Sequence, residues 1–209
     1  MTTINHHHIG WVMGLDDSME HVEIERRFFV DGDGGSPWRK GEGSSEISQF
    51  YLSVDGVAED DGWLSYMGVH RFHKMEGSEL ELFRSLADWI ARLRLVDDCA
   101  VFTFKGRRTE ASAHELEWEV PLTVGEAIVA SGTYPSVTKR RYRWLGMDGL
   151  LWEVDEFEGS LEGLVLAEVE LPDENHPVDL PSWLGIEITG DRAWSNAQLA
   201  HVGPPLKLS

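Results

Sequence analysis

The charged residues of this chain fall into like-charged pairs spaced two apart. Glu23 and Glu25 flank Ile24, Glu115 and Glu117 flank Leu116, and Glu168 and Glu170 flank Val169. Asp155 follows Glu153 across Val154. Arg92 and Arg94 flank Leu93, Lys139 and Arg141 flank Arg140, and Lys105 falls on the face opposite Phe102 and Phe104. Carboxylates are the hard oxygen ligands that Mg²⁺ or Mn²⁺ takes, and guanidinium and ammonium groups are the natural partners of phosphate oxygens. A space that gathers both sets has the chemistry of a polyphosphate site.

Spacing by two is the strand period, because successive strand side chains point to opposite faces. Val22 to Phe28, Arg92 to Leu95, Val101 to Lys105, His114 to Val120, Lys139 to Tyr142, Trp152 to Asp155 and Leu166 to Leu171 each read as a strand with one charged and one mainly apolar face. One such strand would ordinarily turn its charges to water. Seven of them with repeated like-charge pairs argue otherwise, since like charges on one face repel unless opposite charge lies between them. Two arrangements satisfy the pattern: charges outward around an apolar core, or apolar faces outward beneath helices around a charged lumen. Burying Glu23, Glu25, Glu115, Glu117, Glu168 and Glu170 uncompensated would cost about several kcal/mol each. Divalent ions and the basic residues, Arg27 among them, can supply the compensation, which favours the lumen.

Three helices are expected around the strands. Ser78-Glu79-Leu80-Glu81 and Thr123-Val124-Gly125-Glu126 read as capping boxes, the first opening an apolar face through Phe83, Leu86, Ala87 and Ile90. Asp191 caps a last helix with Trp194, Ala197 and Leu199, ended by Gly203-Pro204-Pro205. Asp31 to Ser45 reads as a loop whose Asp31, Asp33 and Glu42 do not complete a calcium pattern. Ser53 to Glu76 reads as a second long connection.

A net charge of −19 over 209 residues excludes a broad basic face for nucleic acid or anionic membrane. The nine Trp and eight Phe, with 42% hydrophobic residues, exclude disorder as the dominant state. Cys99 is the single cysteine, so no intrachain disulfide can form. With no apolar run of membrane length, the expectation is a cytoplasmic protein. Met1 to Ser18, with His6, His7 and His8, reads as a disordered, dispensable extension, and 19–209 as one domain.

Glu23-Ile24-Glu25 resembles the Glu-x-Glu-x-Lys signature of the CYTH superfamily, the triphosphate tunnel metalloenzymes. Gln49-Phe50-Tyr51-Leu52, Arg92-Leu93-Arg94, Phe104-Lys105-Gly106, Glu115-Leu116-Glu117, Lys139-Arg140-Arg141-Tyr142, Glu153-Val154-Asp155 and Ala167-Glu168-Val169-Glu170 follow in that family's order. The tail Glu187 to Asp191 with Ser195-Asn196 is similar to the short bacterial members. The resemblance implies a mainly β protein, a closed eight-stranded antiparallel barrel with a few flanking helices, open at both ends. It implies Glu23, Glu25, Asp155, Glu168 and Glu170 as metal ligands for Mg²⁺ or Mn²⁺. Arg27, Arg92, Arg94, Lys105, Lys139 and Arg141 become the phosphate clamp, and Glu115 and Glu117, with Lys105, the catalytic candidates.

The implied activity is metal-dependent hydrolysis of a triphosphate, inorganic triphosphate first and nucleoside triphosphate second, by metal-oriented water. Adenylate cyclase, thiamine triphosphatase and a non-enzymatic polyphosphate-binding module are the alternatives. The expected partner is a small-molecule triphosphate, with no nucleic acid or membrane, and a homodimer left open. Arg27 departs from the signature's Lys, keeping the charge without the point-like ammonium. Ser53 to Ala91 exceeds the compact bacterial members and is expected either to lid one mouth or to select a larger substrate. Neutralising Glu168 or Glu25 is expected to relieve repulsion within the carboxylate cluster while abolishing activity.

Overall fold

The computed structural model describes residues 24–31, 35–68, 70–85, 88–106 and 115–205. Strands β1 (Ile24–Val30), β2 (Gly43–Leu52), β3 (Val57–Asp60), β4 (Trp63–Tyr66) and β5 (His70–Lys74) precede helix α1 (Gly77–Ser85). Next come β6 (Trp89–Val96), β7 (Cys99–Gly106), β8 (Glu115–Val120) and helix α2 (Leu122–Ala130). Then follow β9 (Ser136–Leu145), β10 (Leu151–Phe157), β11 (Val165–Leu171), β12 (Leu184–Glu187) and helix α3 (Asn196–Val202). The segment 1–23, with its histidines, the expected domain start at 19 and Glu23, lies outside the described residues.

Among the described residues the strands form a nine-stranded antiparallel sheet ordered β12-β1-β11-β10-β9-β2-β6-β7-β8, and a three-stranded sheet β3-β4-β5. This corrects the expected closed eight-stranded barrel: β1 and β8 are not paired, and the sheet stays open. The reason lies at β1, whose second edge is taken by the short strand β12, with a register shift between Phe28 and Val30. That pairing satisfies the β1 backbone groups that a closing strand would otherwise bond.

The register carries the odd residues of β1 and β9, and the even residues of β11, onto one face with all the paired charges. The outer face is mainly apolar, with exposed ion pairs such as Arg140–Glu46 at the surface. On one half Phe102, Phe104, Leu116 and Trp118 pack beneath Leu64 and Tyr66 of the small sheet, Met75 just after it, and Ile128 of α2. Gly125 lets α2 lie close, because a Cβ there would fall 2.6 Å from the Ala100 Cβ. On the other half Phe28, Trp152, Val154 and Val169 pack with Trp38 and Trp183. A third cluster lies on the charged face itself, at one end: Phe157, Leu166 and Val137 are covered by Leu161, Ile188 and Leu199, with Phe29 and Trp194 alongside. The tail and α3 therefore cover one end of the charged face.

Several local expectations change. Ser53 to Glu76 is not a structureless connection but the small sheet, turned at Asp61 and Gly62, which hold φ of 49° and 80°. Two consecutive positive φ values suit a two-residue hairpin loop, and Asp-Gly is the pair that accepts them. The sheet lies on the outer face, so it lids neither mouth. Ser78 and Thr123 sit inside their helices rather than capping them, and Ile90 belongs to β6. Asp191 caps a short 3₁₀ turn, Arg192–Trp194, through the Ala193 N–H, while Ser195 caps α3 through the Gln198 N–H. Residues Pro37–Lys40 form a 3₁₀ turn that buries Trp38, so the loop of 31–45 is partly ordered structure.

Candidate active site

Strand pairing brings the predicted residues together on the charged face. Arg27 lies opposite Glu168, Glu25 opposite Glu170, and Glu153 opposite Glu168. Arg141 lies opposite Asp155, Arg92 opposite Thr103, Thr103 opposite Glu117, and Lys105 opposite Glu115. Every predicted site residue except Glu23, which is not described, is on this face. Arg143 and Glu153 extend it, and the sequence signal for both was present in the unbroken two-residue period of β9 and β10.

The cations and carboxylates neutralise one another. Arg27 Nη2 lies 2.6 Å from Glu168 Oε1 and 3.5 Å from Glu25 Oε1. Arg92 Nη2 reaches Glu115 at 3.1 Å, Arg94 Nη2 reaches Glu117 at 2.5 Å, and Lys105 Nζ reaches Glu115 at 3.3 Å. Arg141 donates from Nε and Nη2 to the two Asp155 oxygens, each at 2.7 Å, and also pairs with Glu153 and, at 3.4 Å, Glu168. Lys139 donates to Asp155, and both side chains are about as enclosed as core residues, at 2% exposure each.

These contacts set the protonation states. Burial works against the Asp155 charge, but Arg141 and Lys139 outweigh it and hold the carboxyl far below the ordinary range. Burial, then the Arg141 charge, lowers Lys139 below an ordinary lysine despite Asp155. Arg94 is lowered by burial and by its neighbour Arg92, while Glu168 and Glu25 more than offset burial at Arg27 and raise it. Tyr51, on the same face, is pushed up to about 12 by burial, against the pull of Arg92 and Arg27. Gln49 Nε2 donates to its hydroxyl oxygen, and His201 of α3 packs against its ring.

Two expectations are revised by this geometry. Glu168 is partnered by Arg27 and Arg141, which sets pairing against the expected repulsion within the carboxylate cluster. Arg39, expected to be a plain loop charge, makes a two-pronged contact with Glu156, which also accepts from the Trp38 indole. Sequence reasoning also missed Thr103, whose hydroxyl is fully buried within the charge array. Its only signal was a polar residue between Phe102 and Phe104.

Among the described residues no three carboxylate, imidazole or thiolate groups already converge on one ion position. The carboxylates instead point at arginines. One face of an antiparallel sheet lined by interlocked cations and carboxylates has the chemistry to hold a polyanion.

The comparisons with known proteins agree. No family model matches the chain. An inorganic triphosphatase of Acetivibrio thermocellus is 44% identical over 115 residues, covering 54% of this chain and 72% of that protein. An inorganic triphosphatase of Nitrosomonas europaea is 35% identical over 91 residues, covering 43% of this chain and 60% of that protein. A crystal structure of an inorganic triphosphatase superposes with a TM-score of 0.55 at 26% identity, covering 87% of this chain and 96% of that one. The chain belongs to the CYTH, or triphosphate tunnel, family.

Proposed function

We propose that this protein is a hydrolase of inorganic triphosphate, acting on the charged face with a divalent metal, Mg²⁺ or Mn²⁺. The observation that carries the reading is a set of donors with nothing to bond. The Nε atoms of Arg27, Arg92 and Arg94 are buried and have no hydrogen-bond partner among the described residues. An unpaired buried N–H costs about 1–3 kcal/mol, and three of them on one cationic array suit an anion with many oxygens.

The choice of inorganic triphosphate over ATP or thiamine triphosphate rests on where the rings are. Trp38, Trp144, Trp152 and Trp183 form the outer-face cluster, and Trp89 and Trp118 pack under the small sheet. Trp194 sits against Phe29 in the covered end, and Trp63 is on β4. No described tryptophan ring packs among the paired charges; the rings there are Tyr51, with His201 against it, and Phe157 under Lys139.

The donor chemistry suits a metal. Glu25 and Glu170 face each other across β1 and β11, and Glu153 and Glu168 across β10 and β11, so hard oxygen donors meet in two cross-strand pairs. Glu25, Glu168 and Glu170, with Glu153 or Asp155 and the N-terminal Glu23, would hold it. When bound it supplies positive charge that orients water and stabilises the transferred phosphoryl group. The chain's own residues do the rest. Arg92, Arg94, Arg27 and Arg141 bind phosphate oxygens, Lys105 adds charge beside Glu115, and α3 with the tail covers one end of the face. A balanced array also explains the need for a counter-ion. A polyanion entering it displaces carboxylates from arginines, and a divalent cation can take up the displaced carboxylates.

A reducing cytoplasmic setting suits the single Cys99. Incubation with triphosphate, ATP and thiamine triphosphate plus metal, with products resolved by anion exchange, tests the reading. Pyrophosphate and phosphate from inorganic triphosphate, abolished by excess chelator, are expected. Robust turnover in chelator, or a cyclic nucleotide as the main product, would sink it.

A further inference from the structure

Thr103 is completely buried, yet it sits among ions. Its Oγ1 donates to Glu117 Oε2 at 2.8 Å and accepts from Arg92 Nη2 at 3.3 Å. The same Glu117 oxygen takes Arg94 Nη2 at 2.5 Å and Arg92 Nη2 at 3.4 Å. A valine would fill the same space and suit a strand at least as well. Packing alone therefore gives no reason for a hydroxyl between Phe102 and Phe104.

Glu117 occupies the arginines as a resident anion. A phosphate that takes Arg94 must displace it, because two anions compete for one fork of donors. A carboxylate pushed off its arginine inside an enclosed site loses its stabilisation unless another donor holds it. Thr103 is such a donor: it is neutral, it already grips the contested oxygen, and it stays in place on the central part of β7. Its acceptor side meanwhile keeps the Arg92 guanidinium turned toward the same point. We propose that Thr103 is a positioning residue that parks Glu117 as triphosphate takes Arg94 and holds Arg92 in line. The proposal rests on the triphosphate reading above.

The consequence is a binding effect rather than a chemical one. Without the hydroxyl, Glu117 has only arginines to bond and competes harder with substrate. Thr103→Val is expected to raise KM for triphosphate roughly tenfold, the scale of one hydrogen bond to a charged group, with kcat within about twofold. Thr103→Ser should restore KM, since it returns the hydroxyl without the methyl. A double-mutant cycle adds a readout that packing would not move: in a Glu117→Gln background the Thr103→Val effect on KM should vanish. Where the valine variant does not fold, Thr103→Ala takes its place in the same cycle.

An unchanged KM, a fall in kcat at constant KM, failure of serine to rescue, or a KM effect that persists without the Glu117 charge would each overturn the role of Thr103. A wild-type protein that neither binds nor cleaves triphosphate would instead defeat the triphosphate reading itself, so the two failures are distinct.

Discussion

Replacing Asp155 with alanine removes the anion shared by Lys139 and Arg141. Asp155 is 1% exposed, and it accepts both prongs of Arg141 at 2.7 Å together with the Lys139 ammonium. Glu153 and Glu168 still touch Arg141, but among the described residues no other carboxylate pairs with Lys139. Deleting one partner of a buried ion network leaves uncompensated charge and costs about 3–5 kcal/mol. In a domain of this size that is a fall in Tm of about 10 °C. Thermal unfolding without substrate or metal is the assay, and Glu46→Ala is the control, because its partner Arg140 is at the surface and the pair is screened. The control should leave Tm nearly unchanged. A loss from Asp155→Ala no larger than the control's would refute the reasoning that this anion organises the buried cations.

Two further outcomes concern buried tyrosines and the charged face. Tyr51 and Tyr66 are each held to about 12, the first by burial and the second by burial and Tyr134. Their raised values favour the protonated folded state, so this stability is complete below the ordinary tyrosine range near pH 10 and is lost as pH climbs toward 12. Ultraviolet difference titration should show two late-ionising tyrosines, one of which disappears in Tyr51→Phe; ionisation of all four near pH 10 would contradict the burial. Glu168→Gln should abolish turnover and lower stability rather than raise it, because it loosens Arg27 and Arg141. A metal-free Glu168→Gln protein more stable than wild type would show that repulsion, not pairing, dominates there.

Much of this was legible because strand alternation and charge occur together. Glu168, Arg141 and Arg94 could be assigned a common face from spacing alone, and their register confirms it. Closure could not be read the same way. Whether β8 meets β1 depends on what else bonds β1, and β12, a four-residue strand containing Gly185, carries little pattern of its own. The small sheet β3-β4-β5 was missed although Asp61-Gly62 is a strong hairpin signal, because its strands are only four or five residues long. Partner choice was the least visible layer. The sequence shows that Glu117 and Glu168 are acidic, but only three-dimensional contact shows that they sit on arginines. Thr103 and Gln49 are neutral residues whose roles come entirely from their neighbours.

The central claim is that the interlocked charges form one phosphate-binding array. Phosphate release from triphosphate by Arg94→Ala and Arg141→Ala, set beside Lys40→Ala in the exposed 3₁₀ turn, tests it most directly. Each lost contact to phosphate is worth about 1.5–3 kcal/mol, or about 10- to 150-fold. The account predicts losses of that size in kcat/KM at Arg94 and Arg141, a near-normal Lys40→Ala, and poor use of pyrophosphate by wild type. Equal and small losses at all three positions would mean that these residues are a solvated face and that triphosphate is bound elsewhere or not at all.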